Sequence, residues 1–115
     1  MLQTVRCSVH VLEVRELPGR DSAGLCDPFV RVTLCKMYTK QTGIRYGQTS
    51  ATFDDNFTFP DISLPLDEYQ RATIKVEVFD AKVFFRNELI GQCIFGNSSQ
   101  DCETSVLLGW LPKCH

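Results

Sequence analysis

Residues 73–80 read TIKVEVFD, and they carry the clearest structural signal in the chain. The apolar side chains of Ile74, Val76 and Val78 recur at every second position, which is the period of a β-strand with one face toward a core. A core-facing helix would instead need apolar residues three and four positions apart. The stretch therefore predicts a half-buried strand that ends near Asp80.

Short runs of the same kind recur along the chain, and helical periodicity is nearly absent. The predicted strands cover residues 4–14, 29–35, 44–49, 56–59, 73–79, 89–95 and 108–111. Between them lie segments rich in Gly, Pro, Asp or Ser, which read LPGRDSAG, PDISLPLDEYQ and FGNSSQDCE. This arrangement is typical of an antiparallel sandwich or barrel. Because no repeat or linker interrupts it, we expect one all-β domain over residues 1–115.

The composition excludes several classes of function. The 115 residues are 43% hydrophobic and 23% charged, which is ordinary for a globular domain, and the net charge of −2 disfavours a nucleic-acid module. No apolar run approaches the ~20 residues of a membrane-spanning helix. The opening run MLQTVRCSVHVLEV alternates polar and apolar residues, so it predicts a strand and not a signal peptide.

The six cysteines contain no CxxC pair, which argues against a zinc site. Several of them alternate with apolar residues, where a thiol behaves as a small buried hydrophobe. We interpret them as reduced, intracellular core cysteines. The alternative is a set of disulfides in a secreted domain, which glycosylation sequons at Asn56 and Asn97 would favour.

Acidic residues gather at the predicted connections. Asp21 and Asp27 flank one connection, and Asp80 and Glu88 flank another. Alternate connections of a sandwich emerge at the same end, so these four carboxylates are expected to converge. Each opposed pair would cost about 1 kcal/mol at ~4 Å in water, and more where water is excluded. A calcium ion or a built-in positive charge would relieve the repulsion, whereas the simplest alternative is a set of solvated turn acids.

Three motifs in order give the chain a resemblance to the C2 domain family along essentially its whole length. They read LPGRDSAGLCDPFVRV, SATFDDNFTF and VEVFDAKVFFRNELIG. The family's first motif, Asp-x5-Asp-Pro-[Tyr/Phe]-Val, is matched from Asp21 through Asp27 to Val30, and its third-loop acid positions hold Asp80, Lys82 and Glu88. The Trp-containing run at residues 107–112 is similar to the strand that closes many C2 domains.

The resemblance implies an eight-stranded antiparallel Greek-key β-sandwich whose loops at one end bind calcium, phospholipid or both. Only seven strands are predicted here, with one before the first loop. Either the opening strand hides a further element, or one terminal strand is lacking or permuted and lies beyond His115. A permuted topology is common among ferlins and phospholipases, and the hypothesis is a ferlin-like source with further C2 domains in a larger protein.

Lys82 departs from the family pattern, which places a calcium-ligating acid at this position. A protonated lysine has no lone pair for a metal, so calcium dependence is expected to be impaired or absent. We interpret Lys82 as an internal counter-ion among Asp21, Asp27, Asp80 and Glu88. The alternative is that Lys82 points into solvent and the acids keep one weakly bound calcium.

Two further surfaces are candidates for membrane contact. The predicted apolar tip consists of Val83, Phe84 and Phe85, followed by Arg86, and such a combination suits the bilayer interface. Between residues 30 and 52 the chain carries basic residues and no acid, and the predicted basic face comprises Lys36, Lys40 and Arg45. The alternatives are rings folded over the core and a solvated polar face.

The leading hypothesis is a cytoplasmic, peripheral membrane-targeting module that binds phospholipid in membrane trafficking or fusion. The alternative is a calcium-independent protein-interaction module. We do not expect an enzyme, because His10 lies in a strand-like run, His115 lies at the chain end, and the acids fall on ligand positions of a binding fold.

Overall fold

The computed structural model describes residues 1–18, 24–82, 86–96, 100–102 and 106–111. These residues form ten strands and one short helix. In chain order they are β1 (Leu2–Val5), β2 (Ser8–Val14), β3 (Pro28–Leu34), β4 (Tyr38–Gln41), β5 (Ala51–Thr58), β6 (Ile62–Pro65), α1 (Leu66–Gln70), β7 (Thr73–Asp80), β8 (Glu88–Gly96), β9 (Gln100–Cys102) and β10 (Val106–Leu111).

All strand pairs are antiparallel, and they build two layers. One layer is a five-stranded sheet in the order β4-β3-β7-β8-β9, and the other is a three-stranded sheet in the order β10-β2-β5. The short β1–β6 pair continues the β2–β5 ladder past a break, where the Phe59 N–H donates to the Cys7 carbonyl (3.1 Å). The predicted antiparallel β-sandwich is confirmed.

The core lies between the two sheets, and branched side chains dominate it. Val9, Val11 and Val14 of β2 face Val32 of β3 and Val76 of β7 across the interior, all of them buried. β-Branched residues pack well on a pleated surface, which explains their use on both inner faces. The alternation seen in the sequence of β7 therefore marks its core side.

The strand predictions succeed where periodicity is strong and fail in several other places. The predicted strand at 44–49 is wrong, because residues 42–50 form an irregular connection and the strand in this region is β4. The predicted strand at 4–14 is interrupted at Arg6 and Cys7 and so becomes β1 and β2. Within segments predicted as breaks, the chain forms β6, α1 and β9.

The cysteine prediction is confirmed in part. Cys7, Cys26 and Cys35 are thiols, whereas Cys93 is disulfide-bonded, so the expectation of uniformly reduced cysteines is wrong. The β8–β9 register sets Cys102 opposite Cys93. Because β9 was not predicted, this juxtaposition was not visible in the sequence.

No helix within the described ranges is long and apolar enough to cross a membrane.

Candidate functional site

The candidate site lies at one end of the five-stranded sheet, which we call the loop end. Strand β3 begins there at Pro28, β7 ends there at Asp80, and β8 begins there at Glu88. The register pairs Pro28 with Asp80 and Asp80 with Glu88, so three connections meet across adjacent strands. Antiparallel pairing therefore brings together acids that are far apart in the sequence.

Asp80 is the buried centre of this cluster. It continues the core-facing alternation of Val76 and Val78 in β7, so its carboxylate is directed inward and the residue is only 2% exposed. Its Oδ1 accepts a hydrogen bond from the Asp27 N–H (2.9 Å), and its Oδ2 accepts one from Lys82 Nζ (3.0 Å). A buried carboxylate needs such partners, because an isolated charge away from water is costly.

Lys82 lies between two acids. Its ammonium is 3.0 Å from Asp80 Oδ2 and 3.9 Å from Glu88 Oε2. Its side chain is 29% exposed, and its backbone N–H donates to Asn87 Oδ1 (3.3 Å). Ion pairs that are partly shielded from water are screened less by salt than surface pairs. Lys82 is thus held through both its backbone N–H and its side-chain ammonium.

Asp27 joins the first connection to the segment at 42–50. Its Oδ1 accepts a hydrogen bond from the Gly47 N–H (2.8 Å), and its carbonyl accepts one from the Ala81 N–H (2.9 Å). Gly47 has φ +67°, a conformation that favours glycine, so the turn can present its N–H to the carboxylate. Sequence reasoning missed Gly47, although a glycine inside a predicted strand is itself a turn signal.

The remaining predicted loop residues divide into two groups. Asp21, Val83, Phe84 and Phe85 lie outside the described residues. Arg86 is described and exposed, in the same connection as Lys82.

The three residues of the predicted basic face are spread along one side of the molecule. Lys36 lies in the turn between β3 and β4, Lys40 lies on the edge strand β4, and Arg45 lies near the loop end. Arg45 Nε donates to the Thr52 carbonyl (3.2 Å), and its guanidinium lies over the Phe53 ring at 5.0 Å. Arg45 is thus engaged within the domain, so the three cations do not converge on one point.

The middle motif contributes a separate hydrogen-bonded pair on the outer face of the three-stranded sheet. The β2–β5 register shifts between Val11 and Glu13, and Asp54 takes a positive φ of 52° in the irregular stretch. Its Oδ1 contacts Nε2 of His10 on β2. His10, a histidine considered for catalysis, is therefore paired with an acid on a sheet face away from the loop end.

The described residues do not fit a calcium ion in this arrangement. Calcium takes six to eight oxygen ligands, and the carboxylates at the loop end already accept the N–H groups of Asp27 and Gly47 and the ammonium of Lys82. No group of three or more His, Cys, Asp or Glu residues in the described ranges is arranged to hold a metal. A cation bound beside Asp80 would have to displace Lys82.

Fold and site together define an antiparallel β-sandwich with a polar cluster of loops at one end. The sequence model of the C2 domain matches residues 5–112. The chain therefore belongs to the C2 domain family. The family prediction from the three motifs is confirmed, while the ferlin-like source stays a prediction.

Relatives among known proteins include synaptotagmins. Synaptotagmin-6 of Rattus norvegicus is 34% identical over 107 residues, which covers 85% of this chain and 20% of that protein. Synaptotagmin-3 of Homo sapiens is 33% identical over 91 residues, which covers 77% of this chain and 15% of that protein. The chain thus spans a fifth or less of the length of these two relatives.

Solved structures share the fold. A C2 domain of plant extended synaptotagmin 1 superposes with a TM-score of 0.65 at 21% identity, covering 80% of this chain and 68% of that one. Human GIVD cytosolic phospholipase A2, in complex with methyl gamma-linolenyl fluorophosphonate, gives a TM-score of 0.68 at 17% identity, covering 85% of this chain and 14% of that one. At these identities the likeness is one of fold.

Proposed function

We propose that this chain is a peripheral membrane-targeting module that binds phospholipid through its loop end without a calcium switch. The observation that carries the proposal is the ammonium of Lys82, 3.0 Å from Asp80 Oδ2 and 3.9 Å from Glu88 Oε2. A tethered cation in that position balances the acids permanently. The loop end then has one electrostatic state, whatever the calcium concentration.

Lys82 acts in this proposal as the counter-ion of a degenerate calcium cup formed by Asp21, Asp27, Asp80 and Glu88. Two unit charges of like sign about 4 Å apart repel by about 4 kcal/mol at the effective dielectric near a protein surface. Calcium would therefore bind only after the ammonium had moved. The buried position of Asp80 raises the cost of that exchange, because its Oδ2 would lose its hydrogen-bond donor.

Membrane contact is proposed for Val83, Phe84, Phe85 and Arg86. The predicted basic face of Lys36, Lys40 and Arg45, which extends along β4 away from the loop end, is proposed as a second contact. Exposed Arg86 supports the first contact, since a cation beside the headgroups is attracted to anionic lipid. The family and its multidomain relatives support a module within a larger trafficking protein. The thiols Cys7, Cys26 and Cys35 support a cytoplasmic location, and the disulfide at Cys93 argues against it.

We also propose that this chain binds and does not catalyse. The carboxylates that a hydrolytic mechanism would need are occupied by Lys82 and by backbone N–H groups. The described His10 is held by Asp54 on a sheet face.

The test combines a calcium titration, followed by calorimetry and by melting temperature, with sedimentation of phosphatidylserine-containing vesicles in calcium and in chelator. A ligand of the native state raises stability by RT ln(1 + [L]/Kd), so a functional calcium site shifts the melting temperature. We expect a small shift for the unmodified chain and vesicle binding that is equal in calcium and chelator.

The variant Lys82→Asp sharpens this test. It should destabilise the calcium-free domain by about 1–3 kcal/mol, because the acids then lose their counter-ion. It should also make calcium strongly stabilising. The matched control is Lys75→Asp, which makes the same charge change on β7 away from the loop end, beside Glu77.

A strong calcium response of the unmodified chain would contradict the counter-ion role of Lys82. Calcium insensitivity of Lys82→Asp would place the defect elsewhere in the cup, with Glu88 the next candidate. Failure to bind vesicles in either buffer would overturn membrane targeting and leave the protein-interaction alternative.

A further inference from the structure

The segment at 42–50 is hydrogen-bonded to the residues around the beginning of β3, at the loop end. The Arg45 N–H donates to the Pro28 carbonyl (2.9 Å), and the Gln48 N–H donates to the Cys26 carbonyl (2.8 Å). Cys26 Sγ in turn donates to the Gln48 carbonyl (3.0 Å). Residues on either side of a tight turn are therefore fixed to the first connection and to the start of β3.

Tyr46 stands at the tip of this turn. Its neighbour Gly47 has φ +67° and donates its N–H to Asp27 Oδ1, so the turn is fastened to the carboxylate cluster. Tyr46 is 68% exposed, far more than Tyr38 at 39%. A turn held this way keeps the ring protruding from the loop end.

The neighbouring cation does not cover this ring. Arg45 is bonded to the Thr52 carbonyl, and its guanidinium lies over Phe53. A ring on a hydrogen-bonded turn costs less conformational entropy on meeting a ligand than a ring on a mobile loop, because the backbone is already ordered.

A tyrosine ring combines an apolar body with a polar hydroxyl, and such rings are enriched at the level of lipid headgroups. A protein partner would have to offer a matching pocket for a single protruding ring, whereas a fluid headgroup layer closes around it. Arg86, exposed on another connection of the same end, complements anionic lipid. These features favour a bilayer over a protein surface as the ligand of the tip.

The geometry points to Tyr46 as a fixed interfacial anchor with which the loop end enters the headgroup layer of an anionic phospholipid bilayer. This inference rests on the membrane targeting proposed above, and it adds the connection at 42–50 to the lipid-contacting surface. The anchor is set by the Asp27–Gly47 hydrogen bond and does not require calcium.

The experiment compares four forms of the chain in sedimentation with phosphatidylcholine vesicles that contain phosphatidylserine. They are the unmodified chain, Tyr46→Ser, Tyr46→Phe and the control Tyr38→Ser. Tyr38 is 39% exposed and lies on β4, at the opposite end of the sheet, so it matches Tyr46 in chemistry but not in place. Melting temperatures verify that each form is folded.

We expect Tyr46→Ser to bind vesicles about fivefold to tenfold more weakly, because it removes most of an inserted ring. Tyr46→Phe should retain most of the binding, and Tyr38→Ser should match the unmodified chain. The ratio between the unmodified chain and Tyr46→Ser should be the same at low and high salt, since ring insertion is not screened.

If the unmodified chain binds vesicles and Tyr46→Ser binds them equally well, the inference about Tyr46 is wrong while the proposed membrane targeting stands. A protein ligand of this turn would give the same result. Equal losses for Tyr46→Ser and Tyr38→Ser would also overturn the inference. Absence of vesicle binding by the unmodified chain would overturn it together with the proposed function.

Discussion

The loop end and the opposite end of the five-stranded sheet are both places where β3 and β7 meet connections, yet different groups hold them. At the opposite end, backbone bonds to backbone: the Cys35 N–H donates to the Thr73 carbonyl (2.7 Å), and the Met37 N–H donates to the Leu34 carbonyl (2.9 Å). We call this opposite end of the five-stranded sheet the far end.

At the loop end, side-chain carboxylates accept backbone donors in addition to the backbone carbonyls that do so. Asp80 accepts the Asp27 N–H, and Asp27 accepts the Gly47 N–H. The charge of Asp80 is in turn balanced by Lys82. This difference predicts that the far end tolerates changes of side chain, whereas the loop end depends on which acids and cations are present. Stabilisation by charged side chains is expected at a surface that selects its ligand by charge.

The largest effect should come from Asp80→Ala. It leaves the Asp27 N–H without its acceptor and the ammonium of Lys82 without its nearest acid, so we expect a loss of about 2–4 kcal/mol in the free energy of unfolding. Chemical denaturation measures this loss. Asp80→Asn keeps an oxygen acceptor and should lose about half as much.

The control for Asp80 is Glu68→Ala in exposed α1, near the far end, which should change stability by less than about 0.5 kcal/mol. Equal losses at the two ends would remove the distinction between them.

An intermediate effect is expected for Gly47→Ala. Its φ of +67° disfavours any residue with a Cβ, although the added atom would meet Leu25 Cδ1 only at an ordinary 3.9 Å. The loss should therefore be about 1 kcal/mol and come from backbone strain alone. Gly43→Ala, in the same segment without a positive φ, is the control. Its added Cβ would lie 3.3 Å from Arg45 Nη1, at the end of a flexible side chain, so its loss should be smaller than that of Gly47→Ala. A neutral Gly47→Ala would show that this turn relaxes without the Asp27 hydrogen bond.

The smallest effect is expected at the far end with Lys36→Gly. Lys36 has φ 57°, so glycine relieves a backbone strain of about 1 kcal/mol. The greater backbone entropy of glycine in the unfolded chain offsets roughly half of that gain. Thermal denaturation should show a gain of about 0.5 kcal/mol. Lys40→Gly, on strand β4, should instead lose about 0.5–1 kcal/mol. If Lys36→Gly were destabilising, the lysine side chain itself would hold the far end.

Much of the fold could be predicted because its strands alternate regularly, as β7 shows most clearly. The motifs around Asp27 and Asp80 also predicted the family correctly. The error at residues 44–49 arose because apolar Ile44 and Tyr46 imitate the period of a strand. In the structure, the Gly47 N–H and the Arg45 N–H bond to residues near the start of β3 and not to a neighbouring strand.

The amino-acid sequence determined the strand periodicity, the placement of acids beside the connections and the membership of the C2 family. These are properties of residues close together in the chain. The folded structure alone shows that the Asp27 N–H reaches Asp80, 53 positions away, and that the Gly47 N–H reaches Asp27, 20 positions away. Such partners follow from sheet register and packing. Local sequence patterns do not encode them, because each hydrogen bond depends on two segments whose relative position exists only in the folded chain.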